Sequence, residues 1–481
     1  MMKKALSCLL LLLMLATLPG VLTSCALVEP VKKLYVYNWG EYMTLESGED
    51  EVHLNHEFEA WYEETYGERI EVVYSVFSSN EEMYAKLRNG SSKIDLIIPS
   101  EYMIERLIKE EMLMPLDFSI ITAYEETIDP RFQEMATKPY CVPYTYGYLG
   151  LIYDGALDES LRDENGDMSW RVLWNEIPDG TDLTDKILTF NNSRDAFGIA
   201  QFILNYETAL KNDEKPGTQD LYVNTSDTSR WDKAYLLLEA QKDSLQAYVM
   251  DEIYNKMESG AALLAPYYAG DYFTMVDVNE NLSFAYPKEG TNFFYDAMCV
   301  PKSAKNPIEA QRYINFILGG EDGETLDAII ANAEWVGYSW PNMKVTMNLD
   351  YLADMADDED GYGAEALSIL YSESDHEALL AMVEEYAAWR EEAGEDYDPT
   401  DYPGQQPTID MFTDVNEDFV TYIYENLDND TLVYANGRWE ALKLTSAPCT
   451  EIYVLSGVIV LLLIAWAVLY ALTRRYRSRY Y

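Results

Sequence analysis

Residues 34–43, LYVYNWGEYM, alternate apolar and aromatic positions with the two-residue period of a strand and then halt at Asn38, Trp39, Gly40, Glu41 and Tyr42. Residues 70–77 (IEVVYSVF) and 93–100 (KIDLIIPS) predict two further strands, and residues 55–66 and 81–89 carry the helical spacing that separates them. An apolar run that ends in polar, Gly or Pro residues returns at 187–192 (ILTFNN), 261–270 (AALLAPYYAG) and 296–301 (DAMCVP). Short strands alternating with helices from about residue 33 to 342 predict an α/β fold with a parallel or mixed sheet. In such folds the loops leaving the strand ends are where ligands are met.

The residues at those ends share a chemistry. They are Trp39, Glu41 and Tyr42; Ser100, Glu101 and Tyr102; Tyr144 and Tyr146; Asn192 and Asp195; Tyr267, Tyr268 and Asp271; Tyr295 and Asp296. Aromatics and carboxylates with hardly a base among them suit a flexible alkyl diamine. Its methylenes favour aromatic faces, and each ammonium needs a carboxylate when it leaves water. Each residue alone has a plainer reading: a strand-end Tyr packs, Asp195 caps a helix, Asp271 and Asp296 are turn residues, and Glu41 faces solvent or caps the next helix. Recurrence across separate loops is what favours a cation site.

The overall charge has two readings, a cationic ligand or simply a solvated acidic surface that keeps an exported protein soluble. The 481 residues carry 34 Lys and Arg against 84 Asp and Glu, a formal charge of -50, which excludes a nucleic-acid partner because phosphates need cations. At the N-terminus Lys3 and Lys4, a leucine-rich run and the string LTSC have the layout of a signal sequence. Residues 1–24 are expected to leave as a lipoprotein signal peptide, with Cys25 lipidated. Near the other end, residues 452–472 (IYVLSGVIVLLLIAWAVLYAL) carry no charge. As a helix they would span roughly 30 Å, enough for a bilayer. The Arg-rich residues 473–481 then form a cytoplasmic tail by the positive-inside rule, and everything before is outside. Cys141, Cys299 and Cys449 are odd in number and widely spaced, which indicates neither a disulfide framework nor a metal site.

Residues 349–410 differ from the rest: acidic, turn-rich and weakly periodic, they read as surface loops around two helices. Their DDED lacks the ligand spacing of a calcium loop. His53 and His56 stand three apart, not in a zinc-protease motif, and GxSxG, P-loop and CxxC patterns are absent. No enzyme, metal or cofactor is expected. A tethered sensor ectodomain for a cationic small molecule is the alternative function.

The runs LYVYNWGEYM, SNEEMYAKLRNGSSKIDLIIPSEYMIERL, SWRVLW, YYAGDY, YPKEGTNFFYDAMCVPKSAKNPIEAQRYINFIL and VGYSWPN, in this order, resemble the spermidine/putrescine-binding component of polyamine ABC transporters. The resemblance implies a two-lobed type II periplasmic-binding-protein fold with a hinge and an interlobe cleft. Residues 33–142 and 271–318 would form lobe 1, and 143–270 with 319–446 lobe 2. It places Trp39, Tyr42, Ser100, Tyr102, Tyr146, Asn192, Asp195, Asp251, Tyr268, Asp271 and Asp296 at the ligand, with Asn192 where some members have Asp and Tyr268 where Trp is common. The implied partners are a polyamine, an ABC permease with its ATPase, and the extracellular face of a bacterial cytoplasmic membrane.

Overall fold

The computed structural model describes residues 31–45, 52–90, 93–320, 323, 325–357, 363, 365–372, 374, 376–394, 397–413 and 419–444. Its strands are β1 Lys32–Trp39, β2 Ile70–Phe77, β3 Leu96–Ile97, β4 Cys141–Asp154, β5 Ile187–Phe190, β6 Leu245–Val249, β7 Leu264–Tyr268, β8 Leu282–Ala285, β9 Thr291–Cys299 and β10 Thr421–Tyr422. They join in the order β2-β1-β3-β9-β4-β7-β5-β6, with β10 beside β9 and β8 beside β4. β1 runs parallel to β2 and β3, as crossover helices require, and β5 runs parallel to β6 and β7. The centre is antiparallel, β9 against β4 and β4 against β7.

Two apolar cores flank this sheet. Leu34, Val36, Ile97, Met298 and Ile314 belong to the first; Leu151, Ile187, Phe197, Trp231 and Leu264 belong to the second. β4 serves both, contributing Val142 to Tyr148 on one side and Leu149 to Tyr153 on the other. Every residue of β4 except Asp154 is buried, so nothing in its 14 residues marks where one core ends.

Core membership departs from the expected division at Tyr144, Tyr146 and Tyr148, which join the first core, at Met275 and Leu282, which join the second, and over a longer stretch after Leu318. Ile329, Val336, Leu352, Tyr371 and Tyr386, expected in the second lobe, pack into the first core. Only later do Tyr422, Tyr424, Trp439 and Leu442 return to the second. The acidic stretch is likewise more than surface loops. The helices Leu349–Ala356, Glu365–Leu370 and His376–Ala393 bury Tyr351, Leu352, Leu367, Val383 and Tyr386. Asp350 accepts from Tyr386 at 2.7 Å, and Asp354 from Arg390 at 2.6 Å. The acids of this stretch therefore partly serve to fasten it. His53 caps the helix Leu54–Tyr66, and its ring stacks on His56 at 3.6 Å. Residues 1–24, Cys25 and 452–481 lie outside the described residues, within which no helix is long and apolar enough to cross a membrane.

Candidate functional site

A cavity of about 400 Å³ opens where β1, β3 and β7 end, beside the first two thirds of β9, and is lined by residues of both cores. Aspartates anchor it at three points. The helix Ser193–Lys211 follows β5; Asn192 caps it by accepting the Asp195 N–H at 2.9 Å, and its amide donates to Asp195 Oδ2. The same oxygen takes the Tyr268 hydroxyl at 2.8 Å. Asp271 stands in the first turn of the helix Ala269–Val276, where the helix dipole favours an anion. It accepts from the Tyr254 hydroxyl at 2.8 Å and the Tyr338 hydroxyl at 3.0 Å. Asp296, inside β9, accepts from Ser100 at 2.6 Å and Tyr42 at 2.7 Å. Three carboxylates are thus each held by a phenol and one further donor.

Burial works against these charges. It pushes Asp271 up to about 7 and Asp296 up to about 6, although the hydroxyls pull both back. Burial raises Asp195 too, opposed first by Asn192 and then by Tyr268. Glu101 opens the helix Glu101–Lys109 and is pushed well above the carboxylate range by burial and by the Asp296 charge. The lining holds eight acidic residues and no Lys or Arg. Such a site is short of positive charge, and a cation would supply it.

The walls are aromatic. Trp39 lies against Phe77 with ring centroids 4.5 Å apart, and Tyr42 meets Tyr338 edge-on at 5.0 Å. Tyr268 packs on Phe294 at 5.2 Å. Asn80 ties the rim together, donating to Ser100 at 3.0 Å and Tyr102 at 3.1 Å.

Of the residues expected at the ligand, Trp39, Tyr42, Ser100, Tyr102, Asn192, Asp195, Asp251, Tyr268, Asp271 and Asp296 line this cavity. Tyr146 does not. It is buried within β4, with its ring 4.7 Å from Phe132 and its N–H bonded to the Ser339 carbonyl. Tyr144 is also internal, its hydroxyl donating to the Tyr42 carbonyl at 2.9 Å. Glu41 reaches the lining while remaining exposed, on backbone with φ 46°. Sequence reasoning missed Glu81, Tyr254, Tyr338 and Tyr424. Tyr338 sits inside the quoted VGYSWPN, which was its one signal. Tyr424 had none: it comes from the segment after β10, and the Arg194 guanidinium lies 4.2 Å over its ring.

A profile for the bacterial extracellular solute-binding proteins matches residues 91–351, more than half of the chain. The chain belongs to that family. Among relatives of this solute-binding protein, the spermidine/putrescine-binding periplasmic protein of Escherichia coli is 28% identical over 371 residues, 76% of this chain and 92% of that one. The putrescine-binding periplasmic protein PotF of the same organism is 26% identical over 300 residues, 60% of this chain and 73% of its own. Among solved structures, the substrate-binding protein PotD of Streptococcus pneumoniae superposes with a TM-score of 0.54 at 24% identity, covering 86% of this chain and 99% of that one. The Tp0655 lipoprotein of Treponema pallidum gives 0.52 at 20% identity, covering 85% and 99%. These likenesses establish the periplasmic-binding-protein fold.

Proposed function

We propose that this solute-binding protein captures a linear polyamine in the cavity and delivers it to an ABC permease for import, without catalysing a reaction. The observation that carries the reading is the set of three buried aspartates, Asp195, Asp271 and Asp296, each clasped by a phenol in an aromatic cavity free of Lys and Arg. Three anionic stations match the three ammoniums of a triamine such as spermidine, and a diamine such as putrescine would leave one buried carboxylate unpaired. The names of the relatives, spermidine/putrescine-binding and putrescine-binding, support the class. Trp39 walls the cleft, adding about 0.5 to 2 kcal/mol per head group by cation–π contact.

The two cores act as lobes that hinge about β4 and close over the ligand, a rigid-body motion of an ordinary kind. The first lobe takes residues 34–148, 293–318 and 326–412 in this reading; the second takes most of 149–282 and 420–444. The LTSC string and the uncharged run 452–472 support tethering to the outer face of the cytoplasmic membrane, by a lipid on Cys25 and by a helix. Release of that tether would leave the cavity unchanged.

Calorimetric titration with putrescine, cadaverine, spermidine and spermine at low and moderate salt tests the function. Saturable binding of one amine that survives added salt is expected. Weak, length-blind binding that disappears with salt would mean that only the acidic surface is titrated, and would overturn the reading.

A further inference from the structure

Cys141 and Cys299 lie far apart in sequence, yet the fold sets them face to face. Cys141 opens β4 and Cys299 closes β9, and the two are direct partners in the antiparallel register. Residues paired this way send their side chains to the same side of the sheet, with Cα atoms roughly 4.5 to 5.5 Å apart. A disulfide needs Cα atoms about 4.4 to 6.8 Å apart. Both cysteines are free thiols and fully buried, and the Cys299 thiol donates to the Ala297 carbonyl at 3.6 Å on its own strand. The chain belongs to an extracellular family, and outside the cytoplasm such pairs oxidise and stay oxidised.

We propose that Cys141 and Cys299 are a disulfide site, a cross-strand staple that closes while the chain folds outside the cell. The buried thiols cannot meet an oxidant once β4 and β9 have zipped, so the reaction belongs to the folding chain. The oxidant is a disulfide of low molecular weight or a disulfide oxidoreductase. One cysteine thiolate attacks it, forming a mixed disulfide and releasing one thiol of the oxidant. The second cysteine, after losing its proton, attacks the protein sulfur of that mixed disulfide. The Cys141–Cys299 bond forms, the second oxidant thiol leaves, and two electrons have passed from the protein to the oxidant.

The staple would act next to the cavity. Asp296 stands three residues before Cys299 on β9, and Thr145, whose hydroxyl meets that of Tyr42 at 2.5 Å, follows a register shift between Pro143 and Thr145 on β4. That shift is where the two strands are freest to slip, and a covalent link at Cys141 fixes the register just before it.

The test is to denature the full chain under reducing conditions, in detergent, and refold it in an oxidising glutathione buffer. Free thiols are then alkylated in denaturant, and the unreduced digest is mapped by mass spectrometry. A linked peptide pair holding Cys141 and Cys299, 2 Da lighter than the reduced pair, is expected. Reductant should then lower the guanidinium midpoint of the wild type and leave that of Cys299→Ser unmoved. Alkylation of both cysteines in refolded protein, or linkage of either to Cys449, would overturn the proposal. The mapping of the wild type decides even if the variant does not fold.

Discussion

A Cβ placed on Gly270 would sit 2.0 Å from Cδ2 of Tyr338, so the tyrosine reaches Asp271 only because residue 270 has no side chain. Gly337, at φ 69°, turns the chain out of the helix Leu326–Val336 and sends Tyr338 across to that gap. Gly270→Ala should push the ring out of place, with a stability loss of about 1 to 3 kcal/mol from overpacking. Binding should weaken at the same time, because Asp271 loses a donor and the Tyr42–Tyr338 edge contact opens. Thermal denaturation and calorimetry on the one variant check both; unchanged affinity would detach Tyr338 from the ligand.

Asp271→Asn should move stability and binding in opposite directions. The carboxyl is buried and raised to about 7, so in the empty protein near neutral pH its charge is a burden that the amide lacks. The amide can still accept one phenol hydroxyl, and the melting temperature of the unliganded protein should hold or rise. Binding should fall by about 2 to 5 kcal/mol, because a buried ammonium would lose its partner. A variant that is less stable and binds normally would place Asp271 in the fabric of the lobe, outside the recognition chemistry.

The pH dependence follows from the same groups. Asp271 and Asp296 are raised from 3.8 to about 7 and about 6, so between those values the folded protein holds protons that the unfolded chain has released. Their contribution to stability is full below about pH 4 and is lost as pH rises through 6 and then 7. Unliganded protein should therefore lose melting temperature from these groups over that window, and the upper part of the loss should vanish in Asp271→Asn. A cationic ligand favours the ionised carboxyls, so its affinity should rise over the same interval with protons released on binding. Titrations in buffers of different ionisation enthalpy would detect the release; none at pH 6 would refute the coupling.

What the sequence made legible is the part of the site built by local pattern. The alternation of β1 stops where Trp39 and Tyr42 turn into the cavity, and the Gly270–Asp271 step marks a helix start after an apolar strand. The phenols that clasp Asp271 were illegible for the opposite reason. Tyr254 belongs to the helix Glu252–Glu258 and Tyr338 to a stretch after a glycine cap, and neither position ends a strand. The packing of residues 329–412 into the first core was illegible because helices such as Leu349–Ala356 carry acids that bond to each other's tyrosines and arginines. Charge there hid a buried face. The Cys141–Cys299 pairing depends on long-range register, which no spacing rule contains.

Tyr146 offers the sharpest comparison, since it resembles the site tyrosines in every local respect and lies outside the cavity. Tyr144, Tyr146 and Tyr148 share one periodicity of β4, and Tyr146 spends its ring on Phe132 and Phe293. Tyr146→Phe removes a hydroxyl that meets none of the three aspartates, so polyamine affinity should stay within about twofold, a margin of about 0.4 kcal/mol. Tyr338→Phe keeps the ring and removes the 3.0 Å bond to Asp271, a hydrogen bond to a charged acceptor worth about 1.5 to 3 kcal/mol once a ligand ionises it. Affinity should drop roughly ten- to a hundredfold by that measure. Calorimetry on the two variants separates a cavity defined by clasped carboxylates from one defined by tyrosine content: equal losses would favour the second.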